Sequence, residues 1–191
     1  MVYYIDFPVV LFIDLTIFHN MKRMIPLFLA VLFLILPRPA LAWEGKVVRV
    51  SDGDTITVER AAPNGGAEQI RIRLYGIDTP ESKGGQWGPQ PHWKAARAFL
   101  ADLFGPSGKV AVVDMGYDKY SRTIGSVITL PDGKIVQEEL IKAGLAWVYT
   151  KYCRDCRQWK TLEDEAREAR RGLWREICPI PPWEWRKGRT E

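Results

Sequence analysis

The sequence predicts an α+β domain in which a five-stranded β-barrel carries about three packed α-helices. Short β-branched runs recur along the chain, turn residues separate them, and a helical segment interrupts the series after the third run. Within the runs, apolar and polar residues alternate, which is typical of strands that turn one face toward a core.

The first 42 residues are predicted to be an N-terminal extension and signal peptide. Met21-Lys22-Arg23 is a short basic leader, and Ala40-Leu41-Ala42 is a small-residue cleavage signal. The apolar run from Met24 to Leu36 is shorter than the roughly 20 residues that span a bilayer. We therefore expect a true start at Met21, cleavage after Ala42, export to the periplasm or the medium, and no stable membrane insertion afterwards.

Residues 43–191 are predicted to form one domain that ends in a tail rich in Trp and Pro. The net charge of the whole chain is +4, which by itself does not indicate a nucleic-acid partner. The cysteines are Cys153, Cys156 and Cys178. In an exported protein they favour a structural disulfide over a zinc or redox site, and we prefer Cys153 with Cys156 while leaving the pairing open.

The strands can be assigned in order along the chain. They are predicted at Lys46–Val50, Thr55–Glu59, Gln69–Ile77, Lys109–Asp114 and Thr123–Leu130. Asp52-Gly53 between the first two runs predicts a tight hairpin. In the third run Ile72 and Leu74 are expected to face the core, while Arg71 and Arg73 face outward.

Three helices are predicted from apolar residues at helical spacing. They cover Pro91–Leu103, Val136–Ala143 and Gln158–Arg171, with Gly144 and Gly172 as caps of the last two. Five strands with a helix inserted after the third favour an OB-fold, although this pattern does not decide whether the barrel is closed.

The tail Pro181–Arg186 is expected to pack on the barrel as an aromatic strap, because Trp usually buries its large apolar area.

Acidic residues at two turns predict a metal site. Asp54 lies in the first hairpin, and Asp78 and Glu81 follow the third strand, which would neighbour that hairpin. Carboxylates brought together repel one another unless a cation neutralises them, and an all-oxygen set favours Ca²⁺ or Mg²⁺. Arg73 before Asp78, and the Tyr117–Arg122 turn with its cations and aromatic rings, add groups suited to phosphate contact and base stacking.

Four ordered motifs, SDGDT, RLYGIDTPE, DKYSR and VQEELIKAGLAWVY, resemble the staphylococcal nuclease (thermonuclease) family. The resemblance covers about Val47 to Trp174. It implies an OB-fold that carries a Ca²⁺-dependent phosphodiesterase, which cleaves DNA and RNA and leaves 3′-phosphates. It also implies that the carboxylates of Asp54 and Asp78 and the backbone carbonyl of Thr79 bind the calcium ion.

The same resemblance assigns roles to six further residues. Glu81 matches the proposed general base, Arg73 and Arg122 the phosphate-clamping arginines, Lys119 and Tyr120 the contacts to a terminal phosphate, and Tyr149 a base-stacking tyrosine.

Two other classes of protein compete with the enzyme. A non-catalytic OB-fold module that binds single-stranded nucleic acid would need the basic and aromatic residues but not the acids. An exported structural domain stapled by a disulfide would need neither set. The combination of acids and arginines favours the nuclease, which we expect to act as a monomer on DNA and RNA.

Overall fold

A computed structural model of the chain describes residues 42–83, 87–153 and 156–188. The predicted extension and signal peptide therefore lie outside the described residues, apart from Ala42. The strands are β1 (Ala42–Asp52), β2 (Thr55–Ala61), β3 (Ala67–Leu74), β4 (Ile77–Asp78), β5 (Lys109–Tyr117), β6 (Thr123–Thr129) and β7 (Trp147–Val148). The α-helices are α1 (Trp93–Leu103), α2 (Val136–Lys142), α3 (Arg157–Glu168) and α4 (Pro182–Trp185), with 3₁₀ turns at Thr150–Tyr152 and Gly172–Arg175.

Five of the strands close into a barrel in the order β1-β2-β3-β6-β5, with β5 pairing back onto β1. Neighbouring strands are antiparallel except β3 and β6, which run parallel with Ile72 opposite Thr123. This is the OB-fold that the sequence predicts, and the barrel is closed. The predicted hairpin is also present, with Asp52 opposite Thr55.

Strand β6 shows how the sequence pattern builds the barrel interior. Its residues alternate strictly between buried and partly exposed, and Val127 is completely buried. At Gly125 an added Cβ would lie 2.9 Å from Cγ1 of Val112 and 3.1 Å from Cγ2 of Ile72. The absence of a side chain at this position therefore lets the opposing apolar residues meet in the core.

A buried polar side chain joins helix α2 to the barrel. Gln137 has no exposed surface; its Nε2 donates to the carbonyl of Gly125 (3.0 Å), and its Oε1 accepts from the backbone N–H of Val127 (3.2 Å). One buried side chain thereby bonds to two backbone groups of β6 and has its own amide oxygen and nitrogen satisfied.

The third strand is shorter than predicted. It ends at Leu74, and the chain turns through Gly76, whose φ of 69° lies in the left-handed region that glycine adopts without strain. Ile77 and Asp78 then form the separate strand β4, which pairs with Val148 and Trp147 of β7. The turn at Gly76 thus ends the barrel strand and redirects Asp78 into a second, two-stranded sheet.

The predicted cap of the third helix is wrong. Helix α3 ends at Glu168, and Arg170 takes the first left-handed conformation after it (φ 48°). Gly172 instead packs against Gly144. A Cβ added at Gly172 would lie 2.2 Å from the carbonyl oxygen of Gly144. At Gly144, whose φ is 67°, an added Cβ would lie 2.3 Å from the carbonyl oxygen of Arg171.

The preferred cysteine pairing is confirmed. Cys153 and Cys156 form a disulfide with their Cα atoms 5.8 Å apart, and Cys178 is a free, exposed thiol. Within the described ranges, no helix has both the length and the apolar character needed to cross a membrane.

The contact between Gly144 and the Arg171 carbonyl gives a stability prediction. Gly144→Ala combines left-handed strain, about 1–2 kcal/mol, with a backbone clash, so we expect a loss of more than about 2 kcal/mol. Gly133→Ala is the matched control, because Gly133 has nearly the same φ (69°) but nothing within 4 Å of an added Cβ. Urea unfolding followed by circular dichroism measures both losses. Equal losses in the two variants would show that the clash contributes nothing.

Candidate active site

Two buried carboxylates meet at one guanidinium. Asp54 comes from the β1–β2 hairpin and Asp78 from the end of β4, and their exposed fractions are 3% and 0%. Nη1 of Arg73 donates to Oδ1 of Asp54 (2.9 Å), while Nη2 donates to Oδ1 of Asp78 (2.5 Å). The structure therefore brings together the two predicted metal-ligand carboxylates and the first predicted phosphate-clamping arginine.

The electrostatics of this cluster follow from its burial. Burial raises the pKa of the Asp78 carboxyl, and the charge of Asp54 adds to the rise, although Arg73 and Arg186 oppose it. Burial would lower the pKa of Arg73, but Asp54 and Asp78 outweigh it and raise that pKa. Each charge in the cluster thus depends on an opposite charge beside it.

Further hydrogen bonds fix the orientation of Asp54. The hydroxyl of Thr55 donates to its Oδ1 (2.9 Å), and the backbone N–H of Thr79 donates to its Oδ2 (3.3 Å). Thr79 itself is buried, and its Oγ1 has no hydrogen-bond partner among the described residues. The segment that follows Asp78 is therefore tied directly to the β1–β2 hairpin.

Helix α3 holds the β4–β7 sheet through a residue that the sequence reasoning missed. Glu163 is 1% exposed; its Oε1 accepts from the backbone N–H of Val148 (3.0 Å), and Lys160 pairs with its other oxygen. Val148 in turn pairs with Ile77, directly before Asp78. The sequence did carry a sign of this role: Glu163 is an acidic residue on the core-facing side of α3, in line with Leu162 and Ala166.

The disulfide packs against the turn at Gly76, which redirects the chain toward Asp78. An added Cβ at Gly76 would lie 2.9 Å from Sγ of Cys153 and 2.8 Å from the ring of Trp159. The carbonyl of Gly76 accepts from the backbone N–H of Tyr149 (2.8 Å). The turn before Asp78 is thus packed between the disulfide, the ring of Trp159 and Tyr149, the residue directly after β7.

Glu81 lies next to the carboxylate pair and is partly buried. Its backbone N–H donates to Oε1 of Gln90 (3.1 Å), and its carbonyl accepts from the backbone N–H of Gln90 (2.8 Å). Burial raises the pKa of the Glu81 carboxyl, although an ion pair with Arg186 lowers it in part. The predicted base is therefore held beside the two predicted metal-ligand carboxylates, and the guanidinium of Arg186 lies against it.

The second predicted arginine lies in a separate cluster. Nε and Nη2 of Arg122 both lie 2.6 Å from Oδ2 of Asp118, in the turn between β5 and β6. Tyr120 is 67% exposed, with Nζ of Lys119 4.9 Å and Cζ of Arg122 5.6 Å from its ring centre. The structure brings Arg122, Lys119 and Tyr120 together with one another, but the described contacts do not join them to Asp54 or Asp78.

The tail reaches the site, which the sequence did not predict. Nη1 and Nη2 of Arg186 donate to Oδ1 and Oδ2 of Asp78 (3.2 and 2.8 Å), and Nη1 also contacts Glu81. The ring of Trp183 stacks on that of Tyr149, with centres 4.9 Å apart and planes within 5°. The tail packs as a strap, as expected, but it also adds a charged residue to the site. No local signal could identify Arg186, because 105 residues separate it from Glu81.

Comparison with known proteins agrees with the motifs. A family model described as staphylococcal nuclease homologue matches residues 71–176. The chain is 40% identical over 169 residues to an "uncharacterized endonuclease" of Escherichia coli O157:H7, covering 87% of this chain and 98% of that protein. It is 36% identical over 167 residues to a micrococcal nuclease of Shigella flexneri, covering 83% and 89% respectively.

A plant relative shares the same region within a longer protein. The chain is 41% identical over 126 residues to the staphylococcal-like nuclease CAN1 of Arabidopsis thaliana, covering 64% of this chain and 35% of that protein. The family match, the near full-length bacterial relatives and the closed barrel all agree with the motif resemblance. This chain belongs to the staphylococcal nuclease family.

Proposed function

We propose that this chain is a calcium-dependent phosphodiesterase, an endonuclease that hydrolyses DNA and RNA and leaves 3′-phosphates. The observation that carries the proposal is the meeting of Asp54, Asp78 and Arg73 at one strand end, with Glu81 beside them. Relatives named endonuclease and micrococcal nuclease support the same reaction class.

The proposed calcium ligands are few but chemically suitable. Among the described residues, no group of three or more His, Cys, Asp or Glu side chains is arranged to hold a metal ion. We therefore propose the carboxylates of Asp54 and Asp78 and the backbone carbonyl of Thr79, with water completing the 6–8 oxygen ligands that Ca²⁺ takes. Two adjacent buried carboxylates form a hard, anionic donor set of the kind this ion prefers. Once bound, calcium would supply positive charge beside the reacting phosphate.

The protein residues divide the chemistry of hydrolysis among them. A 3′-phosphate product requires that water bonds to phosphorus while the bond to the 5′ oxygen breaks, and that oxygen leaves with the electron pair. Glu81 would accept the proton of the attacking water. Arg73 and Arg122 would donate hydrogen bonds to phosphate oxygens as their negative charge increases, which lowers the barrier rather than only tightening binding.

Substrate contacts away from the reacting phosphorus would come from two aromatic residues and one lysine. Lys119 and Tyr120 lie together in the β5–β6 turn and would contact a terminal phosphate, while Tyr149 would stack on a base. A module that only binds single strands would use these same residues. It would have no use for two carboxylates held fully buried on an arginine, which is why we favour the enzyme.

We also propose that the protein acts after export, in an oxidising compartment and as a monomer. The Cys153–Cys156 disulfide supports the first part, since such bonds persist outside the reducing cytosol.

The first functional prediction concerns the metal. Incubation of the purified protein with DNA and excess chelator should abolish cleavage, and added Ca²⁺ should restore it, because the buried carboxylates need the cation to approach a phosphate. Asp54→Asn should remain inactive at the same calcium concentration. Asp132→Asn, in an exposed turn, is the matched control and should cleave normally. Cleavage that survives complete chelation would contradict metal dependence.

The second functional prediction separates catalysis from binding. Glu81→Gln should reduce kcat by about 10²–10⁴-fold with little change in KM, because a general base acts only on the transition state. Lys119→Ala should raise KM and weaken the salt dependence of binding, with less effect on kcat. Lys109→Ala, an exposed lysine on β5, controls for the loss of one surface charge. Steady-state kinetics on a defined oligonucleotide measure all three, and an unchanged kcat for Glu81→Gln would reject its assignment as the base.

A further inference from the structure

The last part of the described chain, residues 180–188, lies across the site and is here called the C-terminal strap. Two hydrogen bonds fasten it beyond its charged contacts: Nε2 of Gln90 donates to the carbonyl of Ile180 (2.6 Å), and Nε1 of Trp185 donates to the carbonyl of Gly88 (3.2 Å). The four-residue helix α4, which contains Trp183 and is followed directly by Arg186, fixes the spacing of these two residues. Both residues are thereby presented to the same side of the domain.

Arg186 engages the groups that the proposed reaction needs. Its guanidinium contacts both oxygens of Asp78, and Oδ1 of Asp78 also accepts from Arg73. The same guanidinium contacts the carboxylate of Glu81. In this arrangement Asp78 has little capacity left to ligate a cation, and Glu81 is paired with a positive charge instead of being free to accept a proton.

Trp183 covers a second functional surface. Its ring lies parallel to that of Tyr149 with centres 4.9 Å apart, which is the geometry in which a nucleobase would stack on a tyrosine. Tyr152 also packs against the ring of Tyr149, edge-on and with ring centres 4.9 Å apart. A base could therefore reach the face of Tyr149 that Trp183 covers only if the strap moves.

The charges of the cluster indicate what could replace Arg186. Three carboxylates, Asp54, Asp78 and Glu81, face the two guanidinium groups of Arg73 and Arg186. Withdrawal of Arg186 would leave three negative charges against one positive charge. A single divalent cation would neutralise that excess, so the cation and Arg186 are alternatives for the same carboxylates.

We propose that the C-terminal strap is an autoinhibitory element: Arg186 takes the place of the divalent cation at Asp78 and Glu81, Trp183 takes the place of a nucleobase on Tyr149, and cation binding releases both. This inference rests on the proposed function. Release is compatible with a helix α4 of only four residues and with an Arg186 side chain that is 38% exposed. It would also expose Pro182, which is buried, and separate Trp183 from the cluster of Trp147 and Trp174.

Calcium binding to the full chain, measured by isothermal titration calorimetry without nucleic acid, tests the competition. Arg186→Gln should bind Ca²⁺ at least about tenfold more tightly than the wild-type protein, since the competing docked state is weakened. Lys187→Gln is the matched control: it also removes one positive charge from the strap, but Lys187 pairs with Glu184 and not with the site. Its calcium affinity should match that of the wild-type protein.

Hydrogen exchange provides a second readout that does not depend on activity. The backbone N–H groups of Trp185 and Arg186 bond within α4, to the carbonyls of Pro181 and Pro182. Saturating Ca²⁺ should speed their exchange in the wild-type protein, because release of the strap frees α4. Trp183→Ala should bind a short oligothymidylate more tightly in the presence of chelator, where no cleavage occurs.

The outcomes separate this inference from the proposed function. If wild-type protein cleaves DNA with calcium, but Arg186→Gln binds Ca²⁺ no more tightly and exchange of α4 is unchanged, the autoinhibitory strap is rejected and the nuclease stands. If Arg186→Gln binds calcium more tightly but neither protein cleaves DNA, the competition between Arg186 and the cation is supported and the proposed nuclease activity is rejected. Weaker calcium binding by Arg186→Gln, or no calcium binding by either protein, would overturn the inference.

Discussion

The site depends on the ion pairs that Arg73 makes with two buried carboxylates. Asp54 and Asp78 are almost completely buried. An isolated carboxylate in such a buried position would be too costly to keep charged. Arg73 stabilises both with one planar group, whose two terminal nitrogens each contact a different acid. Loss of one partner from such a buried group typically costs about 3–5 kcal/mol, so Arg73 has a structural role besides the catalytic role proposed for it.

This constraint determines how the surrounding elements are arranged. Arg73 is carried by a barrel strand, whereas Asp78 must leave that strand to face the guanidinium from another side, and the turn at Gly76 makes this possible. The redirected segment is then held by the short β4–β7 pairing and by the buried Glu163, which accepts from the backbone N–H of Val148 in β7. The OB barrel provides a rigid base, and these additions set the position of Asp78.

The parts of the fold that the sequence predicts are those encoded locally. The β1–β2 hairpin follows from Asp52-Gly53, and Arg73, Asp78 and Glu81 fall within one short segment whose alternation and turn residues fix their relative positions. Glu163 and Arg186 could not be assigned in this way, because their contacts join residues 15 and 105 positions apart. The end of α3 was misjudged for a related reason: Gly172 looks like a helix cap, but its close packing against Gly144 is a tertiary requirement.

The strap shows how the same excess of negative charge can serve two ligands, Arg186 or a divalent cation. Arg186 belongs to the same chain as Asp78, so its competition with a dissolved cation is intramolecular and does not depend on the protein concentration. A cation that binds only weakly would therefore fail to displace it. A divalent cation that binds all the available oxygen ligands at once can displace Arg186, particularly when the phosphate of a substrate adds a further oxygen ligand. Coupling of this kind is reciprocal, so whatever favours the docked strap must weaken cation binding to the same extent.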